Sequence, residues 1–164
     1  MDIQFAFMEL AEAVKRMVND RIRRYGVNEK TGSNTLENSN LQRSLQVTPT
    51  EDGIVLQIAD YWEFVSRGWA RTGNYPGTFS KFVQNVNDWV RRKGIRWGSL
   101  TQNQITYIVI KNIWEYGLKA RPFMVYDDEG DLTKMIPELE SYIDKWFDTL
   151  FEAIIEDLNN YFNG

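Results

Sequence analysis

The sequence predicts an α+β fold: a long N-terminal helix, a small antiparallel sheet, two middle helices and a long acidic C-terminal helix. Three observations carry this. Apolar residues recur at spacings of three and four over residues 3–25, 78–93 and 132–162, which is the helical period. Between the first two stretches the period drops to two, the signature of a half-buried hairpin. The 164 residues suit one domain, or one domain with an appendage.

The first helix is expected over 3–25. Ile3, Phe7, Leu10, Ala11, Val14, Met17, Val18, Ile22 and Tyr25 form its stripe, and Gly26 is the stop. Residues 27–40 are polar and turn-rich and read as a loop. In the hairpin, Leu45 and Val47 alternate with polar residues, Pro49–Gly53 turns the chain, and Ile54, Leu56 and Ile58 share a face opposite Val55. Asp60–Val65 is a short aromatic segment, and Trp69–Gly77, with three breakers, reads as a loop. The second helix runs from about Thr78 to Lys93, with Phe79, Phe82, Val83, Val86, Trp89 and Val90 inward and Gly94 closing it. Thr101 and Gln104 stand at capping-box spacing and open the third helix, which ends at Gly117. Ala120-Arg121-Pro122-Phe123 is expected as an extended strand added to the hairpin, because the residue before proline avoids the α region. A domain over 1–126 and an acidic helical extension over 127–164, packed on that domain or on a neighbouring subunit, complete the division.

The last helix is expected over about Leu132–Phe162, with Pro137 inside or just before its regular part. Its apolar residues from Leu139 to Phe162, Trp146, Phe147 and Phe151 among them, cover an arc of roughly 220° at ~100° per residue. A surface helix shows a stripe a little over ~100° wide. Counted from Pro137 the helix is ~39 Å long, about the diameter of a compact chain of this size. Two readings fit so wide an arc: packing against another chain, or a central helix buried from two sides. The other face carries Asp144, Asp148, Glu152 and Glu156, a row of like charges at i, i+4. Such a row costs a few tenths of a kcal/mol per pair. It is either well solvated or presented to a basic neighbour, and it would repel passing DNA.

Composition closes off several chemistries. The chain has no His and no Cys, so zinc sites, disulfide frameworks, Ser-His-Asp triads and Cys-His dyads are excluded. No Gly-x-Gly-x-x-Gly or P-loop pattern is present, and no pair among the 23 acids is singled out. Asp127, Glu129, Asp131 and Glu138 stand at positions 1, 3, 5 and 12 of a calcium-loop window, but the position-6 glycine is replaced by Leu132. An acidic turn entering a helix accounts for them. No catalytic residue, metal, cofactor or small-molecule substrate is expected. The 23 aromatics instead point to packing or assembly, since interfaces are enriched in them.

Charge is segregated. Residues 127–164 hold eleven acids and two bases, a net of −9, and residues 1–126 carry +5. Two basic clusters close helices: Arg21, Arg23 and Arg24 on the first, and Arg91, Arg92, Lys93 and Arg96, beside Trp89 and Trp97, on the second. Cations at helix C-termini complement the dipole or pair with acidic helices of a neighbour. Basic residues beside aromatics also suit a small nucleic-acid-binding module, the alternative reading of this chain. No targeting segment or membrane span is expected. The longest charge-free stretch, Trp97–Ile110, has fourteen residues, and a span needs about 20 apolar ones.

Two segments carry a resemblance. Asp88-Trp89-Val90-Arg91-Arg92-Lys93-Gly94-Ile95 is followed by a polar stretch, a helix and then Ile113-Trp114-Glu115-Tyr116-Gly117-Leu118-Lys119-Ala120-Arg121-Pro122-Phe123-Met124. Upstream stands Tyr61-Trp62-Glu63-Phe64-Val65-Ser66-Arg67-Gly68. With the element order, this resembles the head–tail connector, neck or tail-completion proteins of tailed double-stranded DNA phages, over about residues 1–126. The Trp69–Leu100 region is longer than the family minimum, and the acidic C-terminal helix lies outside its pattern. The resemblance implies a non-enzymatic virion subunit made in the host cytoplasm. It implies a ring of six or twelve copies beside portal, connector or tail proteins, with DNA passing through without sequence-specific binding. In it, Gly117 releases the chain from the helix, Pro122 fixes an extended path, Phe123 anchors the core and Arg121 pairs with a carboxylate within or between subunits. Alongside Ala120 and the aromatics Trp146, Phe147 and Phe151, these are the motif and interface residues. Asp144, Asp148, Glu152, Glu156, Arg91 and Arg92 are the charged interface candidates.

Overall fold

A computed structural model describes residues 2–29, 31–68 and 79–163. Among them it holds seven helices and one two-stranded antiparallel sheet, an α+β architecture. The expected loop Trp69–Gly77 and the expected helix start at Thr78 lie outside the described residues. Contacts group the chain into two compact units, residues 1–62 with 122–164, and residues 63–121. The sequence division at residue 126 falls elsewhere, because residues 122–139 are tied back onto the first helix.

In the first unit, α1 (Ile3–Tyr25) is the spine. Asp2 caps it by accepting from the Gln4 amide at 2.9 Å. Ala6, Leu10, Ala11, Ala13, Val14, Val18 and Ile22 are buried along one face. Gly26 ends the helix with φ −77°, so it supplies space rather than a left-handed turn. A Cβ there would lie 2.3 Å from Asn34 Oδ1. That side chain plugs the helix end, donating to the Ile22 and Arg23 carbonyls and accepting from the Leu36 and Glu37 amides.

A short helix, α2 (Asn40–Ser44), leads into β1 (Gln46–Pro49) and β2 (Ile54–Gln57). Val47 faces Leu56 and Pro49 faces Ile54, on the half-buried side that packs against α1. The four-residue turn closes through the Thr50 amide on the Gly53 carbonyl at 2.8 Å. The last helix is broken. After α6 (Leu132–Met135), residues 136–138 leave the helical path at Pro137, and α7 runs from Leu139 to Asn163. Proline removes a helix donor and disfavours α geometry before it, so one continuous helix from Leu132 does not form.

In the second unit, the aromatic segment folds as a helix, α3 (Trp62–Arg67, beginning at the unit boundary), followed by α4 (Phe79–Lys93) and α5 (Gln102–Tyr116). Phe82, Val86, Val90 and Ile105 are its core, with Phe64, Val109 and Ile113 packed against them. The Thr101–Gln104 capping box is formed. Asn87 of α4 ties α5 in place, accepting from Gln102 at 2.8 Å and Thr106 at 3.0 Å.

The expected Ala-Arg-Pro-Phe strand does not form, and the sheet keeps two strands. Extended backbone becomes a strand only with a ladder partner. Here the carbonyls of Pro122 and Phe123 are taken by a side chain from α1 instead.

Candidate assembly surface

The expected motif and interface residues fall in two regions of the first unit, a buried clamp around Phe123 and an exposed apolar sector on α7, and in the second unit around Gly68 and Gly117. The clamp is built by Arg21, which the sequence grouped with Arg23 and Arg24 as a helix-end cation. Arg21 sits on the apolar stripe, three residues after Val18, and is only 7% exposed. Its Nε donates to the Phe123 carbonyl at 2.7 Å and one terminal nitrogen to the Pro122 carbonyl at 3.2 Å. The other reaches both Glu138 oxygens at 2.8 and 3.1 Å, and the guanidinium lies over the Tyr25 ring at 5.0 Å. The planar fork of arginine suits this divergent set of acceptors. It binds α1, the 122–123 strap and the entry to α7 into one network.

Phe123 and Met124 are fully buried, and Trp62 meets Phe123 edge-on at 6.5 Å. Burial works to raise the Glu138 carboxyl. Its own backbone amide, the charge and hydrogen bond of Arg21, and Arg24 outweigh this and hold it below the ordinary value.

In the second unit the two quoted motifs meet. The Arg121 amide donates to the Val65 carbonyl at 3.0 Å. Gly68, at φ +68°, lies so close that a Cβ would sit 2.5 Å from the Leu118 carbonyl oxygen and the Ala120 nitrogen. Glycine is required there on both counts. Gly117, at φ +73°, carries the chain off α5.

The calcium-loop window is occupied by internal contacts. Asp127 accepts from the Asp131 amide, Asp131 caps α6 through Thr133, and Glu138 belongs to the clamp. The Thr133 hydroxyl and amide pull the Asp131 carboxyl below its usual value against a small opposing burial effect, with Lys134 assisting. Among the described residues no group of three or more acids is placed to hold a metal ion. No helix among them is long and apolar enough to cross a membrane.

The 220° arc of α7 resolves into two adjoining sectors. Leu139, Tyr142, Ile143, Trp146 and Leu150 occupy about 100° and are buried or half-buried. Trp146 meets Phe7 of α1 at 5.8 Å. Phe147, Phe151, Ile154, Ile155, Leu158, Tyr161 and Phe162 occupy the next 120° or so, and all are exposed. Phe147 is 46%, Phe151 59%, Phe162 78% and Tyr161 81% exposed. At ~200 Å² per aromatic side chain these four alone show roughly 500 Å². The three aliphatics bring the sector to the order of 700 Å², above the usual largest apolar patch of a monomer. Phe147, Phe151, Ile154, Leu158 and Tyr161 alternate spacings of four and three, the spacing of a coiled-coil seam.

No family model, curated protein or solved structure matches this chain.

Asp144, Asp148, Glu152 and Glu156 are exposed, and none forms an ion pair among the described residues. On α4, Arg91 pairs with Asp88 at 2.7 Å, while Arg92, Lys93 and Arg96 are solvent-facing. The candidate charged residues thus lie in two places: acids along one flank of the exposed apolar sector, and bases at the end of α4. The sequence pointed to Trp146, Phe147 and Phe151 together. The structure separates them, with Trp146 serving the fold and the other two left uncovered.

Proposed function

We propose that this chain is a structural, non-enzymatic subunit of the head–tail connector or neck of a tailed double-stranded DNA phage. In this reading it assembles as a ring beside the portal or upper tail, and DNA passes through without sequence-specific contacts. The observation that carries it is the exposed sector of α7, whose area approaches the ~800 Å² per partner of a standard protein interface. The resemblance over Tyr61–Gly68 and Gly117–Phe123 supports it, as does the close packing of Gly68 on Leu118–Ala120, which gives both motifs a shared structural task. A chain without His or Cys fits a scaffold role.

Light scattering of the purified chain, alone and mixed with portal rings of its phage, tests the reading. Oligomers, or assembly triggered by the portal, are expected. A strict monomer that ignores the portal would overturn it.

A second reading has its own observation. Trp89 and Trp97 are exposed beside Arg92, Lys93 and Arg96, a pattern that suits single-stranded nucleic acid. Fluorescence anisotropy at low salt, with Arg92→Ala and Arg96→Ala as controls, decides it. No binding by the wild-type chain removes it.

A further inference from the structure

We propose that the exposed sector of α7 is covered by the α4–α5 corner of a second copy of this chain, in a head-to-tail contact. The inference rests on the assembly reading above and names the partner of that surface. α7 is poorly suited to pair with a second α7. Residues 139–163 hold six acids and one base, Lys145. At ~100° per residue, Asp148 lies at one edge of the apolar sector and Asp157 at the other. Two copies of α7 packed seam to seam would place acid against acid at both edges, with one lysine per helix to answer. Like charges facing across an interface oppose it. The occupant must therefore be apolar at its centre and basic at its rim.

The chain supplies such a surface. Residues 63–121 carry ten Lys and Arg against three acids, a net of +7, beside −5 for residues 139–163. The bases concentrate where α4 ends: Arg92, Lys93 and Arg96 are exposed, and none forms an ion pair among the described residues. Trp97 and Leu100 follow them in sequence and Tyr107 stands on α5, all three exposed, Tyr107 at 66%. A shallow, mainly apolar depression lies between Leu100, Asn103, Gln104, Tyr107 and Ile108. The corner is held in shape before any partner arrives, by the Thr101 capping box and the Asn87 ties. Such preorganisation lowers the ordering cost of binding. An amphipathic helix laid into an apolar groove is a recurrent recognition mode, and the exposed bases at the end of α4 carry the charge that its acidic flank calls for.

The two patches differ, so each copy offers one donor helix and one acceptor corner. A heterologous contact of this kind propagates, closing into a ring or growing as a filament. Salt weakens its charged rim and leaves its apolar centre intact.

The test uses the full chain in sedimentation velocity at low and high salt. One variant reverses α7 (Asp148→Lys, Glu152→Lys, Glu156→Lys). A second reverses the corner (Arg92→Glu, Lys93→Glu, Arg96→Glu), and a third carries all six changes. Every altered side chain is exposed or at the surface, and circular dichroism confirms the fold of each. Phe151→Ser and Tyr107→Ser serve as single-site replacements where a triple variant misfolds. Each triple reversal is expected to weaken self-association at least ten-fold at low salt. The six-fold variant is expected to return to within about three-fold of wild type.

Corner reversal without effect, with α7 changes still disruptive, would overturn the proposal in favour of another α7 partner. So would loss of monomer melting temperature without change in association, which would place the contact within one chain. A wild-type chain that stays monomeric alone but assembles on portal rings would also sink it, while leaving the connector reading standing. Self-association by this route without portal binding would do the reverse.

Discussion

The two long helices of this protein begin alike and end differently. Both α1, with 23 residues, and α7, with 25, carry apolar residues at helical spacing. α1 is flanked by the hairpin on one side and by the 122–139 strap and the start of α7 on others, so its stripe is buried from Ala6 to Ile22. Among the described residues α7 is covered mainly along its first three turns or so. Beyond Leu150 it runs on with the same apolar density, and every described residue there except Ala153 is exposed. The hydrophobic effect sets the same driving force on both helices, in proportion to apolar area. What differs is whether this chain provides the other half of the contact.

The covered side of this contrast is held by the clamp. Phe123→Ala empties a fully buried site and is expected to cost about 3–5 kcal/mol, read as a lower urea midpoint. Arg21→Met follows. It strands two strap carbonyls and the Glu138 carboxylate, and a loss of about 2–4 kcal/mol is expected. Arg21→Lys should recover little, since one ammonium cannot serve three divergent acceptors.

A smaller effect comes from pH. Glu138 and Asp131 lie below their ordinary values in the folded chain. The unfolded chain therefore takes up protons first as pH falls. Their stabilisation is fully present above the ordinary carboxylate range and fades as pH drops below about 4 toward the lower folded values. Glu138 is 45% exposed, so solvent screening keeps its share under about 1 kcal/mol. Urea midpoints of wild type and Glu138→Gln should converge as pH is lowered through this window.

The smallest effect on stability sharpens the contrast most. Phe147→Ser with Phe151→Ser, on the uncovered sector, should leave the monomer's unfolding free energy within about 0.5 kcal/mol per site, while lowering self-association in the same sample. A large loss of monomer stability would mean that α7 is covered within its own chain after all.

Helix boundaries were legible in the sequence because their signals are local. Thr101 with Gln104, Gly26 and Gly117 stand where the helices begin and end. The excess of apolar surface on α7 was legible too, since it is a sum over one helix. Its division into a covered and an uncovered sector was not, because spacing says nothing about which neighbours are present. The Ala120–Phe123 strand failed for a related reason. Pro122 fixes an extended path locally, but pairing needs a second strand, and Arg21 reached the carbonyls from 101 and 102 residues away in sequence. Arg21 itself left a trace that could have been read. It lies on the apolar stripe of α1, seven residues after Val14, where a cation is retained only with partners. Asp60–Val65 gave aromatics without a clear period, and its helical form follows from packing Phe64 on Phe82 at 6.0 Å.

By itself, the sequence determined where α1, α4 and α5 lie, that no chemistry needing a His or Cys of this chain is open to it, and that α7 carries more apolar surface than one face needs. The tertiary structure alone decided that Arg21 holds the strap in place of a third strand, and that the uncovered sector begins at Phe147. The physical reason is range. Caps and periodicity act over a few residues, whereas burial and buried polar pairing exist only once distant segments have met.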